Sequence, residues 1–259
     1  IKSKDEIGEL TADFNTMTEA VKQKVEKLED IASERKVFID NMTHEMKTPL
    51  TSIIGFSDLL RSARLDDETV HDYAESIYKE GKYLKSISSK LMDLILLRQK
   101  PEMTEIDVPR LVEEIDESVR PIASSRQVAF SAASVEAKLV CDRELIKSLL
   151  YNLIDNAVKA SQPGTCVTLN AYFTQDGVME FSVADQGSGI PKEELDKIFE
   201  PFYRVDKTRS RKYGGAGLGL ALCMEIAHAH AATLEIESEV GRGTVIRLRF
   251  DGKGKGSVL

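Results

Sequence analysis

Five short runs in this 259-residue sequence carry residues suited to holding a charged ligand or moving a proton. The first spans Phe38 to Leu50 and contains His44, Glu45, Thr48 and Pro49. On a helix, Thr48 stands one turn from His44 on the same face. Pro49 lacks the N–H that would bond to the Glu45 carbonyl, so the helix is expected to bend there. The second run places Asn152, Asn156 and Lys159 at i, i+4 and i+7, again on one helical face. Two amides and an ammonium aimed together suit phosphate oxygens and a hard cation, since Mg²⁺ takes oxygen ligands with few from protein. The third, Asp185 to Gly189, follows a strand; its carboxylate can accept from an exocyclic amine and its glycines permit close backbone approach. The fourth, Gly214 to Leu220, presents bare N–H groups where a helix begins, a natural anion site. It is neither a Rossmann fingerprint, because Leu220 stands where glycine is needed, nor a Walker A loop, because no Gly-Lys-Ser/Thr follows. The fifth, Gly241 to Thr244, is a turn before the last strand. Taken singly, each run also describes ordinary structure: a surface histidine, a solvated helix face, plain turns.

The elements that carry these runs follow from hydrophobic periodicity. Ile7, Leu10, Phe14, Met17, Val21, Leu28, Ile31 and Phe38 recur at heptad spacing, interrupted by Lys24 and Arg35. A seam this narrow calls for a partner helix. A break is expected near Arg64–Asp67, with Asp66 or Asp67 capping a second helix marked by Val70, Tyr73, Ile77, Leu84, Ile87, Leu91 and Leu94. Two such helices make a hairpin, and two hairpins make a four-helix bundle.

Pro101 and Pro109 bracket a short linker, after which the pattern turns mixed. Helices are expected from about Pro109 to Ser124, from about Asp142 to Ala160, and after Gly217 to about His230, with a short one at Lys192–Ile198. Strands are expected at Val128–Ser131, Cys166–Phe173, Val178–Ala184, Thr233–Ser238 and Thr244–Phe250. This is an α+β two-layer sandwich. The irregular stretch between Gly187 and Gly215 is too long for a plain connection and points to function.

The formal net charge of -8 disfavours general binding to nucleic acid. Cys141, Cys166 and Cys223 show no metal spacing and read as reduced thiols. No apolar run approaches the ~18 residues a membrane span needs, and no secretory signal is present, so the chain reads as an excised soluble segment. His228 and His230 are a poor metal pair, and His71 reads as a solvated helix residue.

Together, and in this order, the five runs resemble the boxes of the HisKA-type sensor histidine kinases. His44 to Leu50 is similar to the H box, Asn152 to Lys159 to the N box, Asp185 to Gly189 to the G1 box, Phe199 to Arg204 to the F box, Gly214 to Leu220 to the G2 box, and Gly241 to Thr244 to the last glycine box. The segments Asp5 to Leu10 and Phe14 to Met17 resemble the second helix of a HAMP relay module. The sequence departs from the commonest pattern at Met46-Lys47, where Leu-Arg is frequent, and at Ala160, where an aromatic residue is common.

The resemblance implies a helical hairpin forming a dimeric four-helix bundle, followed by a GHKL-type ATP-binding sandwich. It divides the chain into a partial HAMP and signalling helix at 1–34, a phosphotransfer hairpin at 35–100, a linker at 101–108 acting as a hinge, a catalytic domain at 109–252 and a disordered tail at 253–259. It implies His44 as phosphoacceptor, Glu45 as general base and Thr48 as helper in dephosphorylating the partner. It implies Asn156 as Mg²⁺ ligand, with Asn152 and Lys159 near the phosphates of ATP. Asp185 reads the adenine amine, and Gly187, Gly189, Gly215, Gly217, Leu218 and Gly219 form the nucleotide loop and lid. Phe199, Phe202 and Arg204 belong to that lid, whose Lys207, Arg209, Arg211 and Lys212 screen phosphates or are simply solvated. Thr244 borders the phosphate end. The implied partners are a second copy of the chain and a response-regulator receiver domain, and the implied location is the cytoplasmic side of a membrane-anchored sensor. Two other readings compete. One is an ATPase clamp that uses the nucleotide boxes without His44. The other is a dimeric relay that binds nucleotide structurally.

Overall fold

The structure is a computed structural model that describes residues 6–96, 101–205 and 216–250. Helix α1 (Glu6–Ser62) and helix α2 (Asp67–Leu96) form the hairpin. Asp66 caps α2, its Oδ1 accepting from the Thr69 N–H at 2.7 Å, and Asp67 and Glu68 complement the dipole in the first turn. The antiparallel pairing follows from the cross-contacts, because Glu45 meets Tyr83 while Phe56 packs on Tyr73 with ring centroids 5.2 Å apart. Helix α1 continues through Pro49 without interruption. On the single chain, Phe14, Met17, Val21 and Leu28 of the heptad seam are exposed.

Strand β1 (Thr104–Asp107) pairs antiparallel with β3 (Lys138–Cys141). A five-stranded sheet has the order β2 (Ala129–Ser134), β4 (Cys166–Phe173), β5 (Met179–Asp185), β7 (Gly243–Phe250), β6 (Thr233–Glu239). Only β2 and β4 run parallel. Helices α3 (Val108–Ser125), α4 (Arg143–Ala160) and α5 (Gly219–Ala229) supply the other layer, their Leu111, Ile115, Leu149, Leu153, Leu222 and Ile226 buried in one core with Leu169, Phe181 and Leu248 of the sheet. The sheet's opposite face carries Glu180, buried but bonded to Tyr172 and flanked by Arg247 and Arg249 at 3.7 and 3.6 Å. The expected two-layer sandwich is therefore present, with α5 following the fourth run.

Two expectations need correction. The linker at 101–108 is part of the sheet domain from Glu102 onward. The Glu102 N–H donates to Asp142 Oδ2 at 2.9 Å, and Thr104–Asp107 forms β1. Strand β1 and its partner β3 are only four residues long each, too short for a periodicity to mark them. The helix expected at Lys192–Ile198 is a 3₁₀ turn at Lys192–Glu194, whose N-cap Pro191 offers no side-chain acceptor. The helix expected after Gly217 is α5, which starts at Gly219 with Leu218 at its N-cap. Gly217 has φ +69 and its carbonyl accepts from the Phe202 N–H at 2.8 Å, a left-handed conformation that cannot begin a helix. Gly215, the basic lid residues 207–212 and the tail at 253–259 lie outside the described residues.

His230 is buried. Its Nε2 accepts from the Asp142 N–H at 3.0 Å and its Nδ1 donates to the Ile226 carbonyl at 2.8 Å, so it ties α4's cap to α5 as a neutral ring. His228 and His71 are exposed.

Candidate functional site

Helix α4 is built to show one polar stripe. Leu149, Leu150, Leu153, Ile154, Ala157 and Val158 go into the core, which leaves Asn152, Asn156 and Lys159 half-buried along the opposite edge. Asn152 spends its Nδ2 on the Ser148 carbonyl at 2.9 Å, leaving Oδ1 free. Lys159 pairs with Asp155 at 2.6 Å. Against this stripe comes the start of α5, where Leu218 provides no side-chain cap and the first N–H groups are bare. A Cβ placed on Gly219 would lie 3.3 Å from Asn152 Oδ1, 3.4 Å from Lys90 Nζ and 3.7 Å from Asn156 Nδ2. Three polar side-chain atoms thus converge on one point at a helix N-terminus, where any side chain would intrude. A cavity of about 430 Å³ opens beside it between α2 and α4, lined by Ser86, Lys90, Lys147, Ser148, Tyr151, Asn152, Asp155 and Lys159 among others.

The other end of α4 meets the Asp185 loop. Asp185 Oδ1 accepts from the Gly187 N–H at 2.8 Å, and the Ser188 N–H donates to the Ala160 carbonyl at 3.3 Å. Burial raises the Asp185 pKa, an effect opposed by the N–H groups of Gly187 and Thr244. The loop is stitched to the β6–β7 turn. Ile190 N–H donates to Ser238 Oγ at 2.8 Å, and Ser238 and Thr244 share a hydroxyl bond of 2.9 Å. Gly187, Gly189 and Thr244 therefore form one connected patch around Asp185. Phe199 packs on the main core.

His44 lies on α1, exposed, with the Thr48 hydroxyl donating to its carbonyl at 3.4 Å. Glu45, beside it, is half-buried and accepts from Tyr83 Oη at 2.6 Å and Arg204 Nη1 at 3.2 Å. Burial, and then the bond to Glu45, push the Tyr83 pKa up to about 12, so the phenol remains the donor. Arg204 belongs to the sheet domain, as do Phe202, whose ring lies 5.4 Å from Phe38, and the fully buried Leu218, which packs with Ile87 and Leu91 of α2. The structure therefore places Phe202, Arg204 and Leu218 against the hairpin, next to Glu45, while Asn152, Asn156 and Gly219 gather at the cleft.

Two residues of this arrangement carried no weight in the sequence. Tyr83 and Lys90 both flank the apolar seam of α2. The available signal was a cation at Lys90, three residues after Ile87 and four before Leu94, where an apolar residue would continue the packing face. Burial, and next the neighbouring Lys159, lower the Lys90 pKa.

Residues 34–99 match the sequence profile described as "His Kinase A (phospho-acceptor) domain", and residues 141–254 match that described as "Histidine kinase-, DNA gyrase B-, and HSP90-like ATPase". The chain is 31% identical over 185 residues to the "Sensor-like histidine kinase SenX3" of Mycolicibacterium smegmatis, covering 70% of this chain and 48% of that protein. It is 30% identical over 252 residues to the "Sensor histidine kinase YkoH" of Bacillus subtilis, covering 96% of this chain and 53% of that protein. The chain thus spans about half the length of the curated relatives it matches. Among solved structures, histidine kinase ThkA in complex with response regulator protein TrrA has the same fold, with a TM-score of 0.68, 22% identity, and 86% of this chain and 65% of that chain covered.

Proposed function

The chain belongs to the sensor histidine kinases, and from that premise we propose that it uses ATP to phosphorylate its own His44 and passes the phosphoryl group to an aspartate of a response-regulator receiver domain. One observation carries this reading: Asn152, Asn156 and the bare start of α5 converge beside the hairpin that bears an exposed histidine with a carboxylate next to it. Asp185, at the far end of α4, takes the adenine amine. Asn156 would hold Mg²⁺, with Asn152 beside it near the phosphates. The amide oxygen of Asn152, without a partner among the described residues, suits an ion that draws most of its ligands from water and phosphate. Bound there, Mg²⁺ would neutralise phosphate charge. The α5 N–H groups and Lys159 hold the phosphate oxygens.

In the transfer, a bond forms between an imidazole nitrogen of His44 and the terminal phosphorus, and the bond from that phosphorus to the ADP oxygen breaks. Glu45, oriented by Tyr83 and Arg204, takes the imidazole proton. Lys90 lies seven residues beyond Tyr83 on α2, on the order of 10 Å along the axis. In-line attack requires the reacting atoms about 3–3.5 Å apart, so the sheet domain must shift along α2 before transfer. Thr48, one turn from His44, assists the reverse phosphatase step on the receiver.

Two copies pair through the hairpin, which covers Leu50 and Ile54, 51% and 60% exposed on the single chain. Among the described residues no helix is long and apolar enough to cross a membrane. We place the segment on the cytoplasmic side of a membrane-anchored sensor.

Incubation with γ-labelled ATP and Mg²⁺ should yield acid-labile, base-stable labelling that disappears in His44→Gln. Labelling that survives in His44→Gln would overturn the phosphoacceptor assignment.

A further inference from the structure

We propose that Lys90, on the hairpin helix α2, is a phosphate-contacting residue of the nucleotide cleft, so that the hairpin itself helps to hold the phosphates whose terminal group His44 receives. The proposal rests on the reading that the cleft binds ATP.

Its ground is geometric. Lys90 Nζ shares with Asn152 Oδ1 and Asn156 Nδ2 the space at Gly219, although it comes from a separate part of the chain. The other cations of the cavity are already paired: Lys159 with Asp155 at 2.6 Å and Lys147 with Glu114 at 3.1 Å. Lys90 makes no ion pair among the described residues. Asp93 and Asp155 attract it only from a distance, and Lys159 repels it. It also faces the N-terminus of α5, which carries positive charge of its own. A half-buried ammonium without an ion-pair partner is costly, and a polyanion placed between Lys90, Lys159 and the start of α5 adds an attraction to each of them that outweighs their mutual repulsion.

The position along α4 says which part of the nucleotide Lys90 meets. Asp185 and its loop touch α4 at Ala160, eight residues beyond Asn152, or about 12 Å by helical rise. Lys90 therefore stands at the far end from the adenine pocket, at the terminal phosphates. Lys82 and Lys85 line an adjacent cavity of about 380 Å³ that also reaches Lys90, extending a basic strip along α2. A consequence follows for the cycle. Before transfer a triphosphate bridges Lys90 on α2 to the sheet domain, and the shift along α2 that brings the terminal phosphate to His44 releases that bridge.

The test compares wild type, Lys90→Gln and Lys90→Arg as full chains. Calorimetry with Mg²⁺ would measure binding of a non-hydrolysable ATP analogue, ADP and AMP, and circular dichroism would check folding. Lys90→Gln should weaken the ATP analogue by about tenfold, ADP by less, and AMP not at all, while Lys90→Arg restores most of the loss. Equal weakening of all three ligands, an unchanged ratio, or tighter binding of the ATP analogue would overturn the proposal and leave the ATP reading standing. Wild type that binds no nucleotide would bring down both.

Discussion

Asp185 holds a carboxylate in partial burial, and that position has a cost as well as a use. Burial raises its pKa in the folded protein above the ordinary value of 3.8. The folded state therefore binds the proton more tightly than the unfolded state. The associated stability is fully present below the unfolded pKa and is lost as pH rises through the raised folded value. At neutral pH the ionised group works against folding, and on the proposed reading its compensation is the ability to accept from the adenine amine. Asp185→Asn keeps an acceptor for the Gly187 N–H at the Oδ1 position and removes the buried charge. The expected outcome is a melting temperature at pH 7 equal to or above wild type, together with ATP affinity lowered by about tenfold or more in calorimetry. A lower melting temperature with unchanged affinity would mean that Asp185 serves the fold alone.

Among the elements, the β6–β7 turn illustrates how backbone geometry sets the site. Gly243 opens β7 at φ +113, and a Cβ there would come within 2.0 Å of the Asp185 carbonyl oxygen. The close approach lets the turn lie across the Asp185 loop, and only glycine tolerates both the dihedral and the contact. Gly243→Ala should cost about 2 kcal/mol or more in a denaturant melt. Because the strain falls on Asp185 itself, nucleotide affinity should fall with it. Helix α2 is the other decisive element. Its Tyr83 reaches Glu45, its Ile87 and Leu91 receive Leu218 and Ala216, and its Lys90 enters the cleft. Within two turns a single helix touches Glu45, packs on Leu218 and Ala216, and approaches Gly219 and Asn152.

For the molecule as a whole, the apolar residues left uncovered matter most. Met46, Leu50 and Ile54 lie on α1 near His44 and are exposed on the single chain. Exposed side chains of this size on one helix are expected at an interface. Replacing Leu50 and Ile54 with aspartate should raise the dimer dissociation constant by more than tenfold, since each loses ~1.5–3 kcal/mol of burial. Analytical ultracentrifugation would measure this. Dimers of wild-type strength in the double variant would place the interface elsewhere. The Glu45–Arg204 pair, 159 residues apart in sequence, acts at this scale as well, because it joins hairpin to sheet domain beside His44.

The sequence alone determined the elements whose signals are local and the chemical groups on them. Periods of 3.6 and 2 located the hairpin, α3, α4 and most of the five-stranded sheet, because each buries one face against a neighbour. Spacing on a single helix brought Asn152 to Asn156, and adjacency brought His44 to Glu45. Only the tertiary structure decided which surfaces meet. The β1–β3 pair has four residues in each strand, too few to leave a periodic trace. Phe202, Arg204 and Leu218 sit in runs that resemble nucleotide-lid motifs, yet they pack on the hairpin. Lys90 in sequence is one lysine among many. Its importance comes from contacts across long stretches of chain, which depend on how the hairpin and the sheet domain lie together, and no local pattern records that arrangement.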